Sequence, residues 1–239
     1  MGTLLINCDL GENESPELTE LLMESLDAAN ICCGWHAGSL EKTAWTLKLA
    51  HAKGRMIGAH PGLPTEGGRG DANLSVEAFR SLLLEQLESF LSSAAKVGAT
   101  ADYVKLHGSL YHLVERQPAY AECYVQCLIE DFGAQLGLFT LSGGQVARLA
   151  SKSGLRIYHE VFADRAYAVD GQLVPRRNAG SVLSHSEVIA RFEAWMKSGM
   201  MPTVEGLGIL LRADTLCVHG DSAGALEMIC KIRLILNNQ

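Results

Sequence analysis

The chain has 239 residues, enough for one large domain or two small ones, and 48% of them are hydrophobic against 20% charged, which excludes a disordered protein. Lys and Arg number 20 against 27 Asp and Glu, so the net charge of −7 offers no basic excess for binding nucleic acid. No uncharged apolar run reaches the roughly 18 residues of a membrane helix, so we expect neither a membrane span nor a signal peptide.

The cysteine pattern argues against a disulfide framework. Seven cysteines are an odd number, no CxxC pair occurs, and Cys32 and Cys33 are adjacent. Free cysteines are typical of a reducing compartment, so we expect a cytoplasmic protein. Cys123 and Cys127 lie four residues apart on a predicted helix and are interpreted as buried small hydrophobic residues rather than metal ligands.

Short apolar runs alternate along the chain with longer stretches of helical spacing. Seven strands are predicted, at residues 4–8, 29–33, 55–59, 103–106, 136–141, 156–161 and 215–218. Seven helices are predicted at residues 16–27, 40–52, 76–97, 119–132, 145–152, 186–197 and 223–236. Apolar residues at steps of three and four in 76–97 indicate a face that covers a sheet. Ser184 and Glu187 form a capping-box pattern before the helix at 186–197.

A strand followed by a helix, repeated about seven times, predicts parallel strands with right-handed crossovers. Such an α/β chain forms either a closed barrel or a doubly wound sheet, and periodicity does not distinguish the two. No linker or low-complexity segment interrupts the alternation, so we expect a single domain over residues 1–239.

Polar residues concentrate directly after the predicted strands, where parallel α/β folds place their binding sites. Four of the eight histidines lie there beside glycine or proline, which predicts a shared pocket. Along the chain, these polar residues are Asp9, Glu12, His36, His60, Lys105, His107, Glu160, Asp164, Arg165, His219 and Asp221.

Several of these residues have an ordinary structural alternative. Asp9 and Asp221 are also suited to cap helices. Glu160 lies within a predicted strand, where a buried carboxylate needs a partner such as Arg165 or Lys105. Lys105 should face the same side as His107, since side chains alternate along a strand. The glycine-rich stretch at 66–73, with Arg69, suits an anion, although a mobile surface loop is the favoured interpretation.

Six motifs occur in a fixed order: NCDLGE, ANICCGWHAG, IGAHPG, VKLHGSLY, FADRAYAVDGQLVPR and LCVHGD. From about Asn7 to Leu236 the chain resembles the LamB/YcsF family. The resemblance implies a distorted (β/α)7 barrel, TIM-like and related to glycoside hydrolases and deacetylases. It also implies the A subunit of an ATP-dependent 5-oxoprolinase. Together with subunits B and C, such a subunit opens the lactam of 5-oxo-L-proline to L-glutamate while ATP becomes ADP and phosphate.

On this resemblance we expect ATP as a co-substrate of the complex, and we assign no metal ligands. The chain departs from the usual family pattern at Trp35, Ser39, Leu106 and Gly224, where relatives often have Phe, Asp, Pro and His. The candidate catalytic residues are Asp9, Lys105, His107, Glu160, His219 and Asp221. The candidate substrate-binding residues are His36, His60, Arg165 and Arg176.

Two alternatives stay open. A metal-dependent deacetylase-like hydrolase would use an Asp and several histidines at strand ends, but His107 and His112 are five residues apart, on different faces of a helix. A noncatalytic subunit would bind 5-oxoproline while its partners perform the chemistry. The absence of a phosphate-loop or GxGxxG motif favours that alternative, and the number of titratable groups predicted in one pocket argues against it.

Overall fold

A computed structural model, which describes residues 3–222 and 224–238, contains a closed barrel of seven parallel strands. The barrel strands are β1 (Leu5–Leu10), β2 (Ala28–Cys32), β3 (Met56–His60), β4 (Tyr103–Val104), β5 (Gly137–Leu141), β6 (Ile157–Phe162) and β9 (Thr215–Cys217). Neighbouring strands pair in chain order, and β9 closes the ring between β6 and β1. The predicted seven-stranded barrel is confirmed, and the doubly wound sheet is excluded.

Helices follow the barrel strands and cover their outer faces. They are α1 (Pro16–Ser25), α2 (Leu40–Ala52), α3 (Val76–Lys96), α4 (Gly108–Arg116), α5 (Pro118–Glu130), α6 (Gln145–Ala150), α7 (His185–Ser198) and α8 (Ala225–Asn237). Helix α3 buries its apolar face as predicted, through Phe79, Leu83, Leu87 and Phe90. The capping box of α7 is also confirmed, because the Ser184 amide donates to the Glu187 carboxylate at 2.7 Å.

Helix α4 and an antiparallel hairpin of β7 (Met200–Pro202) and β8 (Gly208–Leu210) were not predicted from the sequence. Helix α4 spans only nine residues and begins four residues after the end of the two-residue β4, so its period is difficult to recognise. The hairpin has strands of three residues, too short to show alternation. The last helix was predicted from residue 223, which lies outside the described residues, and α8 begins at Ala225.

The interior of the barrel has an aromatic floor. Tyr103 stacks on Phe139 with ring centroids 3.7 Å apart, and the Cβ of any residue larger than glycine at position 58 would overlap the Tyr103 ring. The Tyr103 hydroxyl donates to Asn30 Oδ1 at 2.7 Å. Side chains alternate along a strand, so Lys105, two residues beyond Tyr103, lies above this floor toward the carboxyl ends of the strands.

All seven cysteines are free, which agrees with the predicted absence of a disulfide framework. Within residues 3–222 and 224–238, no helix combines the length and the apolar character needed to cross a membrane.

Candidate functional site

A cavity of about 250 Å³ lies at the carboxyl ends of the barrel strands. Among the residues that the structure describes, six Lys or Arg residues line it, whereas Asp9 is the lone carboxylate in the lining. This excess of positive charge suits an anionic ligand. The cationic lining consists of Arg69, Lys105, Arg116, Arg165, Arg176 and Arg177.

Lys105 is the buried centre of the site. Its Nζ lies 3.0 Å from an oxygen of Asp9, 3.0 Å from an oxygen of Glu160 and 3.1 Å from Cys217 Sγ. Burial alone would lower the pKa of Lys105, but Asp9, Cys217 and Glu160 outweigh it and hold the pKa well above its ordinary value. Lys105 is therefore a fixed cation, and it supplies the partner that Glu160 requires.

The two carboxyl groups that contact the Lys105 ammonium differ in protonation. Burial would raise the pKa of Asp9, but the charge of Lys105 outweighs it and holds the pKa well below its usual value. Burial raises the pKa of Glu160, and Lys105 offsets only part of that effect. Neither oxygen of Glu160 has a well-oriented hydrogen-bond donor among the described residues. Asp9 is therefore the ionised carboxylate on the cavity wall, and Glu160, behind the wall, is the one suited to hold a proton.

His219 is oriented by a carboxylate. Its Nδ1 lies 2.8 Å from Asp164 Oδ1, and Ser222 Oγ donates to the same carboxylate at 2.7 Å. Burial would lower the pKa of His219, but Asp164 raises it above its ordinary value. Hydrogen bonds to His219 and Ser222 and the charge of His219 overcome the effect of burial and lower the pKa of Asp164 to about 2.

The other nitrogen of His219, Nε2, has no hydrogen-bond partner within the described part of the chain, and the ring lines the cavity. A carboxylate that holds one ring nitrogen orients the other for proton transfer with a ligand or a water molecule. Asp164 was noted after the sixth predicted strand but was given no role. Its proximity to His219, 55 residues away, is a tertiary contact that no local motif reveals.

Three histidines and Glu12 converge beside the cavity. Glu12 Oε1 lies 3.1 Å from His36 Nε2, 3.1 Å from His107 Nδ1 and 3.9 Å from His60 Nε2. Burial would raise the pKa of Glu12, but its contacts with His107 and His36 outweigh it and hold the pKa far below the ordinary value. Glu12 lies in the NCDLGE motif, but the sequence prediction gave it no role in the site.

Burial lowers the pKa of both His60 and His36, but only His36 has partners that outweigh it. It lowers the pKa of His60 to about 4, which keeps this ring neutral at physiological pH. Burial would also lower the pKa of His36, but the Cys32 thiol and Glu12 outweigh it and raise that pKa. The rings of His36 and His107 stack with centroids 4.1 Å apart. The cluster therefore contains rings of different proton affinity within one small volume.

Ion pairs join charged side chains at the mouth of the cavity. Asp221 Oδ2 lies 3.0 Å from Arg69 and 3.5 Å from Arg176. Helix α8 has Gly224 as its N-cap, so the alternative interpretation of Asp221 as the cap of that helix is wrong. Arg69 lines the cavity, which favours an anion-binding role for the glycine-rich stretch. Arg165 is buried and donates to the carbonyls of Val174 and Ser181.

The structure thus brings the sequence-predicted residues into one region, while their individual roles stay predictions. Glu160 lies behind Lys105, His36 contacts Glu12, and Asp221 joins the arginines at the mouth. Lys105 and His107 face the same cavity, as predicted from strand alternation. Of the predicted site residues, those on the cavity wall are Asp9, His60, Lys105, His107, Arg165, Arg176 and His219.

The chain is similar to proteins of known sequence and structure over almost its full length. It is 40% identical over 240 residues to the A subunit of a 5-oxoprolinase from Pyrococcus abyssi, spanning 98% of this chain and 94% of the relative. A crystal structure of a lactam utilization protein from Thermus thermophilus has a TM-score of 0.87 at 31% identity and covers 99% of this chain and 96% of that one.

More distant barrels share only the fold. A GH113 β-1,4-mannanase has a TM-score of 0.55 at 8% identity, with 100% of both chains covered. Residues 4–239 match the LamB/YcsF family as a whole, which confirms the resemblance found in the six motifs. The chain belongs to the LamB/YcsF family.

Proposed function

We propose that this chain is the A subunit of a 5-oxoprolinase and opens the lactam of 5-oxo-L-proline to L-glutamate within a complex that contains subunits B and C. The observation that carries the proposal is the cationic cavity, in which the Asp164-oriented His219 faces the same space as Lys105 and the arginines. The name of the Pyrococcus abyssi relative supports the substrate.

The chemistry of a lactam explains why such a cavity suits it. An unstrained lactam carbonyl is a poor electrophile, and transfer of a phosphoryl group from ATP to its oxygen would make an imidate that water attacks. The substrate then carries a carboxylate and a phosphoryl group, and both are anions. We assign their binding to Arg69, Arg165 and Arg176, which line the cavity.

We assign proton transfer to His219. Its Nε2 takes a proton as water adds to the activated carbon, and the imidazolium returns a proton to the ring nitrogen as the C–N bond breaks. The product of this step is an acyl phosphate with a free amine, and a second water converts it to glutamate and phosphate. Lys105 stabilises the developing negative charge, while Asp9 keeps Lys105 in place.

The test is ATP-dependent glutamate release from 5-oxoproline by the chain alone and mixed with candidate B and C subunits. We expect activity in the mixture, and we expect His219→Ala to lower kcat by about 10²- to 10⁴-fold, since this is the usual contribution of general acid–base catalysis. His185→Ala serves as the control, because His185 is a partly exposed residue at the start of α7.

If no mixture releases glutamate, the proposal fails. If His219→Ala keeps normal turnover in an active complex, the catalytic assignment is wrong and the noncatalytic binding subunit is the better description.

A further inference from the structure

Two histidines in the cluster have their tautomers set by backbone carbonyls. His60 Nδ1 lies 2.7 Å from the carbonyl oxygen of Lys105, and His107 Nε2 lies 3.1 Å from the carbonyl oxygen of Gly67. A carbonyl oxygen only accepts hydrogen bonds, so both of these ring nitrogens carry a hydrogen. In the neutral rings, His60 Nε2 and His107 Nδ1 are therefore unprotonated.

These two unprotonated nitrogens face each other at 2.9 Å. Glu12 Oε1 lies 3.1 Å from His107 Nδ1 and 3.9 Å from His60 Nε2. Asp9 Oδ2 also lies 3.5 Å from His60 Nε2. Two nitrogen lone pairs and two carboxylates thus converge on one small region, and such an arrangement is repulsive unless a proton or a metal cation lies among them.

We infer that this point binds a divalent cation of the zinc class, with His60 Nε2, His107 Nδ1 and Glu12 Oε1 as its ligands. Two imidazoles and one carboxylate are a known ligand set for zinc that accepts exchangeable ligands. Zinc bonds of about 2.0 to 2.1 Å at tetrahedral angles separate the ligand atoms by about 3.3 Å. The three separations, between 2.9 and 3.9 Å, bracket that value.

The surroundings of these ligands match those of metal-binding histidines, which almost always donate their second N–H to a carbonyl or a carboxylate. Both rings do so here. His36 supports the third ligand, since its Nε2 lies 3.1 Å from Glu12 Oε1. Because the His36 and His107 rings stack at an interplanar angle of 13°, a cation in the plane of His107 lies outside the plane of His36. We therefore assign His36 to the outer shell.

A second group of potential ligands, Asp9, Cys217 and His219, does not fit a metal equally well. The Lys105 ammonium lies 3.0 Å from Asp9 and 3.1 Å from Cys217, so a cation of the protein itself already neutralises this group. The inferred site faces the cavity, because His60 and His107 are part of its wall. The three protein ligands leave a coordination position for water or for an oxygen of a ligand.

Zinc binding by the isolated chain, without an affinity tag and after treatment with a chelator, tests the inference. In competition with a chromophoric chelator we expect one equivalent of zinc per chain. Glu12→Gln and His107→Gln should each weaken the affinity by about 100-fold or more, whereas His36→Gln, in the outer shell, should weaken it by about 10- to 100-fold. Cobalt bound in place of zinc should show the visible absorption of a four- or five-coordinate ion.

Two controls test the location of the bound ion. His51→Ala removes an exposed histidine of α2, and His219→Ala removes a ligand of the alternative group. Both variants should keep the affinity of the unchanged chain. Circular dichroism confirms that Glu12→Gln, at a partly exposed position, remains folded. The inference is overturned if the chain binds no zinc, if Glu12→Gln and His107→Gln bind it normally, or if His219→Ala abolishes binding.

The inference does not rest on the proposed function. Binding is measured without 5-oxoproline, ATP or any partner protein, so failure to release glutamate leaves the metal result unaffected. Conversely, an active complex in which this chain binds no zinc would overturn the inference alone.

Discussion

Asp164 raises the pKa of His219, whose Nδ1 lies 2.8 and 3.0 Å from the two oxygens of that carboxylate. The raised pKa of His219 contributes stability that is fully present below its ordinary value of 6.5 and is lost as the pH rises through the raised value. We assign proton transfer to His219 because Asp164 holds its Nδ1, which leaves Nε2 facing the ligand.

Asp164→Asn should therefore lower the pKa of His219. The amide still accepts a hydrogen bond from Nδ1 but carries no charge, so burial should bring the pKa below 6.5. Titration of the imidazole signals by NMR measures the change, and His185, far more exposed, provides the reference signal. An unchanged pKa of His219 would show that Asp164 does not set it.

At the level of single residues, the sequence predicted the strand-end histidines because glycine and strand periodicity locate the carboxyl ends of strands. It did not predict the importance of Asp164 or Glu12, although both lie in conspicuous motifs. Their partners, His219 and His107, are 55 and 95 residues distant, and only closure of the barrel brings them together.

The short 3-10 helix Glu66–Gly68, in the segment between β3 and α3, forms part of the wall of the histidine cluster. Gly67 and Gly68 both have positive φ, at 66° and 59°. A Cβ at Gly68 would lie 2.5 Å from His107 Cδ2, whereas a Cβ at Gly67 meets no described atom within 4 Å. The two glycines thus share a backbone requirement but differ in their neighbours.

Gly68→Ala should destabilise the protein more than Gly67→Ala. Both variants acquire a side chain at positive φ, which costs on the order of 1 to 3 kcal/mol, and Gly68→Ala must also displace His107, for about 1 to 3 kcal/mol more. Urea unfolding of the two variants measures the difference. Equal losses would mean that the His107 ring moves without cost.

Among the elements, most helices were predicted because their apolar spacing and caps are local features, as in α2 and α7. Helix α4 and the β7–β8 hairpin were not predicted because these segments are too short to show a clear helical or alternating pattern of apolar residues. The strand predicted at 103–106 is paired only at Tyr103 and Val104, although the Lys105 amide still donates to Ala59 at 3.0 Å. The ends of a strand depend on which residues pair with the neighbouring strands, and the apolar periodicity of one segment carries no information about that pairing.

Lys105 connects the barrel across its interior. It extends from the end of β4 to Asp9 on β1, Glu160 on β6 and Cys217 on β9. One ammonium thus holds four parts of the ring together. Removal of this cation would leave two carboxylates close together in a buried space, and this should weaken the whole barrel rather than one element.

Lys105→Met should lower the free energy of unfolding by about 3 to 5 kcal/mol at neutral pH, the usual loss when one partner of a buried ion pair is removed. The pKa of the unpaired Asp9 should rise above its unfolded value, and the pKa of Glu160, already raised by burial, should rise further. The loss should therefore be smaller at about pH 4 than at pH 8. Urea unfolding at both pH values tests this. The control is Lys48→Met at an exposed position of α2, which should change stability by less than about 0.5 kcal/mol. Equal stability of the two variants would contradict the prediction.

For the whole molecule, periodicity predicted the number of barrel strands but not closure of the sheet. Closure depends on the pairing of Leu5 with Thr215 and of Glu160 with Thr215, contacts between distant parts of the chain. The resemblance to the LamB/YcsF family supplied the barrel expectation that strand spacing alone left open.

Asp221 has a consequence for any anion that enters the cavity. Arg69 comes from the segment after β3, Arg176 from the segment after β6, and Asp221 from the segment after β9, so one carboxylate is the shared counter-ion of two arginines. An entering phosphoryl or carboxylate group that binds these two arginines must displace Asp221 from them. Anion binding by Arg69 and Arg176 therefore replaces one counter-ion with another. The ion pairs that join the three segments break as the ligand binds.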